Sequence, residues 1–107
     1  MKTERFEQVI KQQLKDCEET LVVKGKEYVR NNDRFHNFNV GAMMTGKLRE
    51  EVLDGFMLKH IISIQDITND IKTGKLPPIE VLDEKFGDVI NYLLLKKASI
   101  IDRIESE

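Results

Sequence analysis

The chain has 107 residues, of which 40% are hydrophobic and 34% charged, and its 17 basic and 19 acidic residues give a formal net charge of -2. This length predicts one domain, residues 1–107, and the charge balance excludes the strong basic field typical of proteins that bind nucleic-acid polymers. The single cysteine excludes an internal disulfide. Because the sequence contains no long apolar run, we expect neither a signal peptide nor a membrane-spanning helix.

Hydrophobic residues at helical spacing predict a first helix from about Thr3 to the Gly25 region, with a kink where it extends past Gly25. A cluster of helix-breaking residues follows at positions 31–33. Asp33 is placed to cap a short helix that carries aromatic and methionine side chains.

The third helix has the clearest apolar pattern and runs from Lys47 to about Lys72. Gly74 is the expected C-cap, and the adjacent prolines Pro77-Pro78 complete the turn. The last helix is predicted from about Ile79 to Ile104, and no segment alternates as a strand does. These elements predict an all-α fold, an antiparallel bundle of four or five helices, in which the last two form a hairpin.

Two pairs of acidic residues lie on the predicted facing sides of this hairpin. Asp66 and Asp70 share one narrow polar stripe of the third helix, bordered by apolar residues on both edges. Glu84 and Asp88 share a stripe of the last helix. Facing residues of an antiparallel pair have a constant sum of residue numbers, and both pairings, Asp66 with Asp88 and Asp70 with Glu84, sum to 154. The sequence therefore predicts that these four carboxylates form one group, termed the acidic cluster below.

Four unpaired carboxylates in a partly buried site repel one another and require a counter-charge. A hard divalent cation with oxygen ligands supplies that charge, so the acidic cluster predicts a site for Mg²⁺, or for Mn²⁺ in its place. Two simpler interpretations stay open. The acids can lie on a solvated helix face, or Lys59 and Lys85 can form ordinary salt bridges with them.

Four short segments occur in a characteristic order between residues 22 and 98. They are Lys24-Gly25-x-x-Tyr28, Asp33-x-x-x-Asn37-Phe38, Met57-x-Lys59-His60 and Asp88-x-x-Asn91-Tyr92. In this order and spacing they resemble the all-α nucleoside triphosphate pyrophosphatase superfamily, which includes MazG-like and dimeric dUTPase-like enzymes. Within that superfamily the likeness is greatest to phage-encoded nucleotide-modification-associated domains.

The resemblance implies a Mg²⁺-dependent hydrolase that cleaves the α–β phosphoanhydride bond of a (deoxy)nucleoside triphosphate and releases a monophosphate and pyrophosphate. Together with the acidic cluster it implies the catalytic residues Lys59, Asp66, Glu84 and Asp88, and the metal ligands Asp66, Asp70, Glu84 and Asp88. The implied substrate-binding residues are Lys24, Tyr28, Asp33, Asn37, Lys59, Asn91 and Tyr92. Ser63 and Lys85 stand where the family's acidic motifs have glutamate.

A second hypothesis belongs to a different class of protein. The two replaced glutamates favour a non-catalytic helical module that binds a nucleotide or a protein partner. Phe35 and Phe38 are either core residues or a platform for a base, and His60 is expected in the core or an interface. Under either hypothesis we expect a cytoplasmic protein (in the host cell if it is phage-encoded). A homodimer or homotetramer is also expected, because so small and polar a chain suits a shared core.

Overall fold

The computed structural model describes residues 1–106, and within these residues the chain forms four α-helices and no β-strand, which confirms the all-α class. The helices are α1 (Thr3–Glu18), α2 (His36–Thr45), α3 (Arg49–Lys72) and α4 (Ile79–Glu105). A π-helical segment, Glu19–Val23, and a 3₁₀ helix, Lys24–Tyr28, continue directly from α1. The predicted kink near Gly25 is thus a change of helical winding, from α through π to 3₁₀.

The turns form where residues of special backbone conformation occur. The C-cap of α3 is Thr73 rather than the predicted Gly74, which follows it with φ +86, and Gly46, the C-cap of α2, has φ +67. Both angles lie in the left-handed region that glycine adopts without steric cost. At the start of α3 the Glu51 carboxylate accepts a hydrogen bond of 3.0 Å from the Leu48 N–H, which satisfies a donor at the helix N-terminus.

Helices α3 and α4 pack against each other as the predicted antiparallel hairpin, but the predicted register is wrong. His60 faces Asp88 and Asp54 pairs with Lys96, so facing residue numbers sum to 148 and 150 rather than 154. The reason lies in the connection. The helices end at Lys72 and begin again at Ile79, so the midpoint of the hairpin falls between residues 75 and 76, before the prolines.

A polar junction joins α2, α3 and α4 near the start of α3. Arg49, whose residue is 8% exposed, donates hydrogen bonds to the Ser99 hydroxyl (2.6 Å), the Ser99 carbonyl (2.9 Å) and the Asn39 side chain (3.1 Å). It also pairs with Asp102 at 3.0 Å, while the Ser99 hydroxyl donates to the Glu50 carboxylate. We refer to Arg49, Ser99, Glu50, Asn39 and Asp102 as the polar junction.

The apolar core of the described chain is small. Cys17, Leu53 and Met57 are its buried hydrophobic residues, whereas apolar side chains on α1, α3 and α4 remain exposed. The solvent-accessible surface is 8184 Å², compared with about 6200 Å² expected for a folded monomer of this mass. No helix within residues 1–106 has the length and apolar content needed to cross a bilayer.

Candidate functional site

A cavity of about 330 Å³ lies where the π and 3₁₀ segments and α2 meet the α3–α4 hairpin. This volume is at the lower end of the range for small-molecule and cofactor sites. Eleven residues line the cavity: Thr20, Leu21, Tyr28, Arg34, Asn37, Phe38, Phe56, Asp88, Asn91, Tyr92 and Leu95. A mostly apolar wall with a few polar groups is typical of a ligand site.

Aromatic rings form one wall of the cavity. The rings of Phe56 and Tyr92 are stacked with an interplanar angle of 8° and centroids 6.4 Å apart. Phe38 meets Phe56 edge-on at 6.1 Å, and His60 stacks on Tyr92 at 5.4 Å. These are favourable aromatic geometries, and they join Phe38, Phe56, His60 and Tyr92 into one contiguous aromatic group.

Two buried polar atoms of the cavity have no hydrogen-bond partner in the described part of the chain. They are the side-chain carbonyl oxygen of Asn91 and the Nε atom of Arg34. An unpaired buried polar group destabilises a fold by about 1–3 kcal/mol, so such groups are rare and require an explanation. Both atoms belong to residues that line the cavity.

The phenol of Tyr92 is a hydrogen-bond donor at neutral pH. Burial raises the pKa of Tyr92 above its ordinary value of 10.0, and the nearby negative charge of Asp88 and the Tyr28 phenol raise it further. The hydroxyl therefore keeps its proton well into the alkaline range.

Asp88 is the carboxylate that lines the cavity, and it pairs with a histidine. The His60 Nδ1 atom lies 3.3 Å from the Asp88 Oδ2 atom, with the side chains 17% and 35% exposed. Through this pair and its ring contact with Tyr92, His60 supports two residues of the cavity wall. The sequence placed His60 in a core or interface, and its half-buried position agrees with that expectation.

Five of the implied substrate-binding and catalytic residues come together at this cavity: Tyr28, Asn37, Asp88, Asn91 and Tyr92. Lys24 and Lys59 are exposed and do not line it. Asp33 does not line the cavity either. Its two carboxylate oxygens accept hydrogen bonds from the Phe35 N–H (2.9 Å) and the Asn39 side chain (2.8 Å). Asp33 thus shapes the turn before α2 but does not cap the helix as predicted: the N-cap is Phe35, and no side chain makes a capping hydrogen bond there.

The acidic cluster does not assemble within the described chain. Asp66, Asp70 and Glu84 are exposed, and Asp88 lies opposite His60 instead of Asp66. Residues 1–106 contain no group of three or more carboxylate, histidine or cysteine side chains that could hold a metal ion. The shifted hairpin register explains the difference. Asp66, the predicted partner of Asp88, lies six residues after His60 on α3, which is about 9 Å along the helix axis. The residues of a single chain therefore do not fit an all-protein Mg²⁺ site.

Several cavity residues were not selected from the sequence, namely Thr20, Leu21, Arg34, Phe56 and Leu95. Arg34 is the most informative of them. It lies between Asp33 and Asn37 in the second quoted segment, and this position could have identified it as a candidate binding residue.

Comparison of the chain with models of known protein families, with curated proteins and with solved structures gives no match. The functional interpretation therefore depends on the cavity and on the resemblance of the four segments.

Proposed function

We propose that the chain binds a nucleoside phosphate in the cavity between the 3₁₀ segment, α2, α3 and α4. The observation that supports this most strongly is the combination of stacked aromatic rings with unpaired polar atoms in one cavity of about 330 Å³. A nucleotide offers a flat base, hydrogen-bonding edges and a phosphate, and these are the three kinds of group that the cavity walls complement.

The base is expected to contact the aromatic wall. Stacking of a base on an aromatic side chain contributes about 1–3 kcal/mol and does not depend on which base it is. Selectivity then requires hydrogen bonds. The Asn91 carbonyl oxygen is an acceptor that needs an N–H donor, and the amide of Asn37 and the phenol of Tyr92 supply further polar contacts.

Hydrolysis of the α–β phosphoanhydride bond is the second candidate function. It is supported by the resemblance and by the position of Asp88 on the cavity wall. Residues 1–106 contain no group of three or more carboxylate, histidine or cysteine side chains for the metal that this reaction uses in the resembled family. Nucleotide binding is therefore the function that the geometry supports better, and turnover is tested separately.

The test is calorimetric titration with the four standard deoxynucleosides, their monophosphates and their triphosphates, with and without Mg²⁺ or Mn²⁺, together with an assay for released pyrophosphate. Binding of at least one nucleotide supports the proposal, and Asp88→Asn is expected to weaken it. Asp66→Asn, on an exposed position of α3, is the matched control and should bind as the wild type does. Absence of binding by every compound would refute the proposal, while metal-dependent release of pyrophosphate would establish the second candidate.

We also propose that the chain forms a homodimer or a higher homo-oligomer. Its surface exceeds that of a typical monomer of its mass by about 2000 Å², and two such chains could together bury an area within the range of obligate homodimers. On α4, the exposed residues Ile79, Phe86, Leu93 and Ile100 repeat at seven-residue intervals, a spacing that suits helix packing. Sedimentation equilibrium should give at least twice the chain mass of 12.5 kDa, and Leu93→Glu should lower it.

A further inference from the structure

We propose that Arg34 recognises the phosphate of the bound nucleotide, an inference that rests on the proposed nucleotide-binding function. The residue lines the cavity, carries a permanent positive charge and lacks a protein partner for that charge among the described residues.

A close backbone approach fixes the Arg34 guanidinium. It lies over the ring of Tyr28, with Cζ 5.4 Å from the ring centroid. The guanidinium also packs against Gly25, where an added Cβ atom would come within 2.9 Å of the Arg34 Nε atom. Gly25 is buried, and its lack of a side chain leaves the space that the guanidinium occupies. Gly25 and Tyr28 therefore act as positioning residues for Arg34.

The carboxylates near Arg34 in sequence or in the cavity are engaged elsewhere. Asp33 accepts hydrogen bonds from Phe35 and Asn39, and Asp88 lies against His60. The ion pairs of the described chain involve other cations, namely Arg49, Arg103 and Lys96. Arg34 thus reaches the cavity wall with its charge uncompensated, whereas Arg49 is neutralised within the polar junction.

The chemistry of this position favours a phosphate as the missing partner. A guanidinium offers several N–H donors in a planar fork that matches the oxygens of a phosphate, and hydrogen bonds between charged groups are about twice as strong as neutral ones. The buried Nε atom of Arg34 is a donor without an acceptor in the described chain, and an unsatisfied buried donor is unfavourable. An uncharged nucleoside would fill the aromatic part of the cavity but leave Arg34 without a partner.

The experiment compares each standard deoxynucleoside with its 5′-monophosphate by calorimetry in the presence of EDTA, so that no metal ion mediates the phosphate contact. The wild type is expected to bind the monophosphate about 10- to 100-fold more tightly than the nucleoside. Arg34→Gln should abolish this difference and leave the affinity for the nucleoside unchanged. Arg34→Lys, which keeps the charge but loses the planar fork, should give an intermediate difference.

Gly25→Ala supplies a second variant that keeps the arginine but displaces its guanidinium, and it should lower the affinity for the monophosphate as well. Arg30→Gln removes an equal charge from an exposed arginine of the same loop and is the matched control, expected within about twofold of the wild type. Thermal unfolding of each variant checks that it is folded.

The outcomes separate this inference from the proposed function. If the wild type binds nucleosides and monophosphates equally, or if Arg34→Gln keeps the full difference, the assignment of Arg34 is wrong while nucleotide binding stands. If the wild type binds none of these compounds, both proposals fail. Titration with inorganic phosphate alone tests whether Arg34 belongs to a site for free anions. If the wild type binds inorganic phosphate tightly and Arg34→Gln does not, the assignment of a nucleotide phosphate is wrong.

Discussion

Two arginines of this chain stack on aromatic rings, and only one of them has its hydrogen bonds satisfied. Arg49 lies 4.5 Å from the centroid of the Phe35 ring and donates to Ser99, Asn39 and Asp102. Arg34 lies over Tyr28, and its Nε atom has no acceptor. Because satisfied buried polar groups specify a fold and unsatisfied ones destabilise it, Arg49 has a structural role, whereas Arg34 is the arginine for which we propose a ligand.

The same contrast divides helix α4 along its length. Ser99 is fully buried, accepts from Arg49 and donates to Glu50. Asn91, about two turns earlier, lines the cavity with its carbonyl oxygen unpaired. One part of the helix is therefore built for stability, and the other retains hydrogen-bonding capacity that the described chain does not use.

The largest effect is expected from Arg49→Leu in the polar junction. The substitution removes the donors that satisfy Ser99 and Asn39, and it leaves the Glu50 and Asp102 carboxylates without that cation. Breaking a buried charged network by removing one partner destabilises a protein by about 3–5 kcal/mol. Urea unfolding followed by circular dichroism measures the loss.

Arg30→Gln is the control for this measurement, because it removes an exposed arginine and should change the free energy of unfolding by less than about 0.5 kcal/mol. A loss below 1 kcal/mol for Arg49→Leu would show that the polar junction does not stabilise the fold.

Asn91→Leu is expected to change stability less than Arg49→Leu does, and in the opposite direction. The substitution replaces an unpaired buried carbonyl by an apolar group of similar size, so the free energy of unfolding should stay the same or rise by about 1 kcal/mol. Nucleotide affinity should fall, because the acceptor for the base is lost. Urea unfolding and calorimetry on the same preparation measure the two quantities.

Ser99→Ala is the matched variant on the same helix. It removes the hydroxyl that accepts from the Arg49 Nε atom and donates to the Glu50 carboxylate, and it should destabilise the fold by about 1–3 kcal/mol while nucleotide affinity is retained. If Asn91→Leu destabilised the protein as much as Ser99→Ala does, Asn91 would have a structural role and the division of α4 would be wrong.

The sequence predicted the helices well because their signals are local. The apolar spacing of α3 and α4 and the turn at Gly74 depend on residues within one or two turns of each other. These interactions do not require knowledge of how the helices pack.

The register of the hairpin and the partner of each polar group were not predictable in the same way. Facing residues of the hairpin can be predicted only if the centre of the turn is known to within one residue. A centre at Pro77 pairs Asp66 with Asp88, whereas in the structure Asp88 faces His60. Tyr28, Asn37, Asp88, Asn91 and Tyr92 line the cavity, but Lys24, Asp33 and Lys59 do not, and the acids selected by register do not form a group. Arg34 and the polar junction depend on contacts between distant segments, which sequence periodicity does not report.

The smallest effect expected is the pH dependence contributed by Glu50. Burial raises the pKa of this carboxyl, but hydrogen bonds from Ser99 and Arg103 and the charges of Arg103 and Arg49 outweigh burial, so the pKa lies below its ordinary value of 4.5. In acid the unfolded chain then binds more protons at this site than the folded chain does. The contribution of Glu50 to stability is therefore complete above about pH 4.5 and is lost as the pH falls through the lower folded value. Urea unfolding at stepped pH values should show this acid-dependent loss in the wild type and a shallower one in Glu50→Gln. Glu7→Gln, at an exposed position of α1, is the control and should retain the wild-type pH profile. If Glu50→Gln also retained it, the charge of Glu50 would not contribute to the stability of the polar junction.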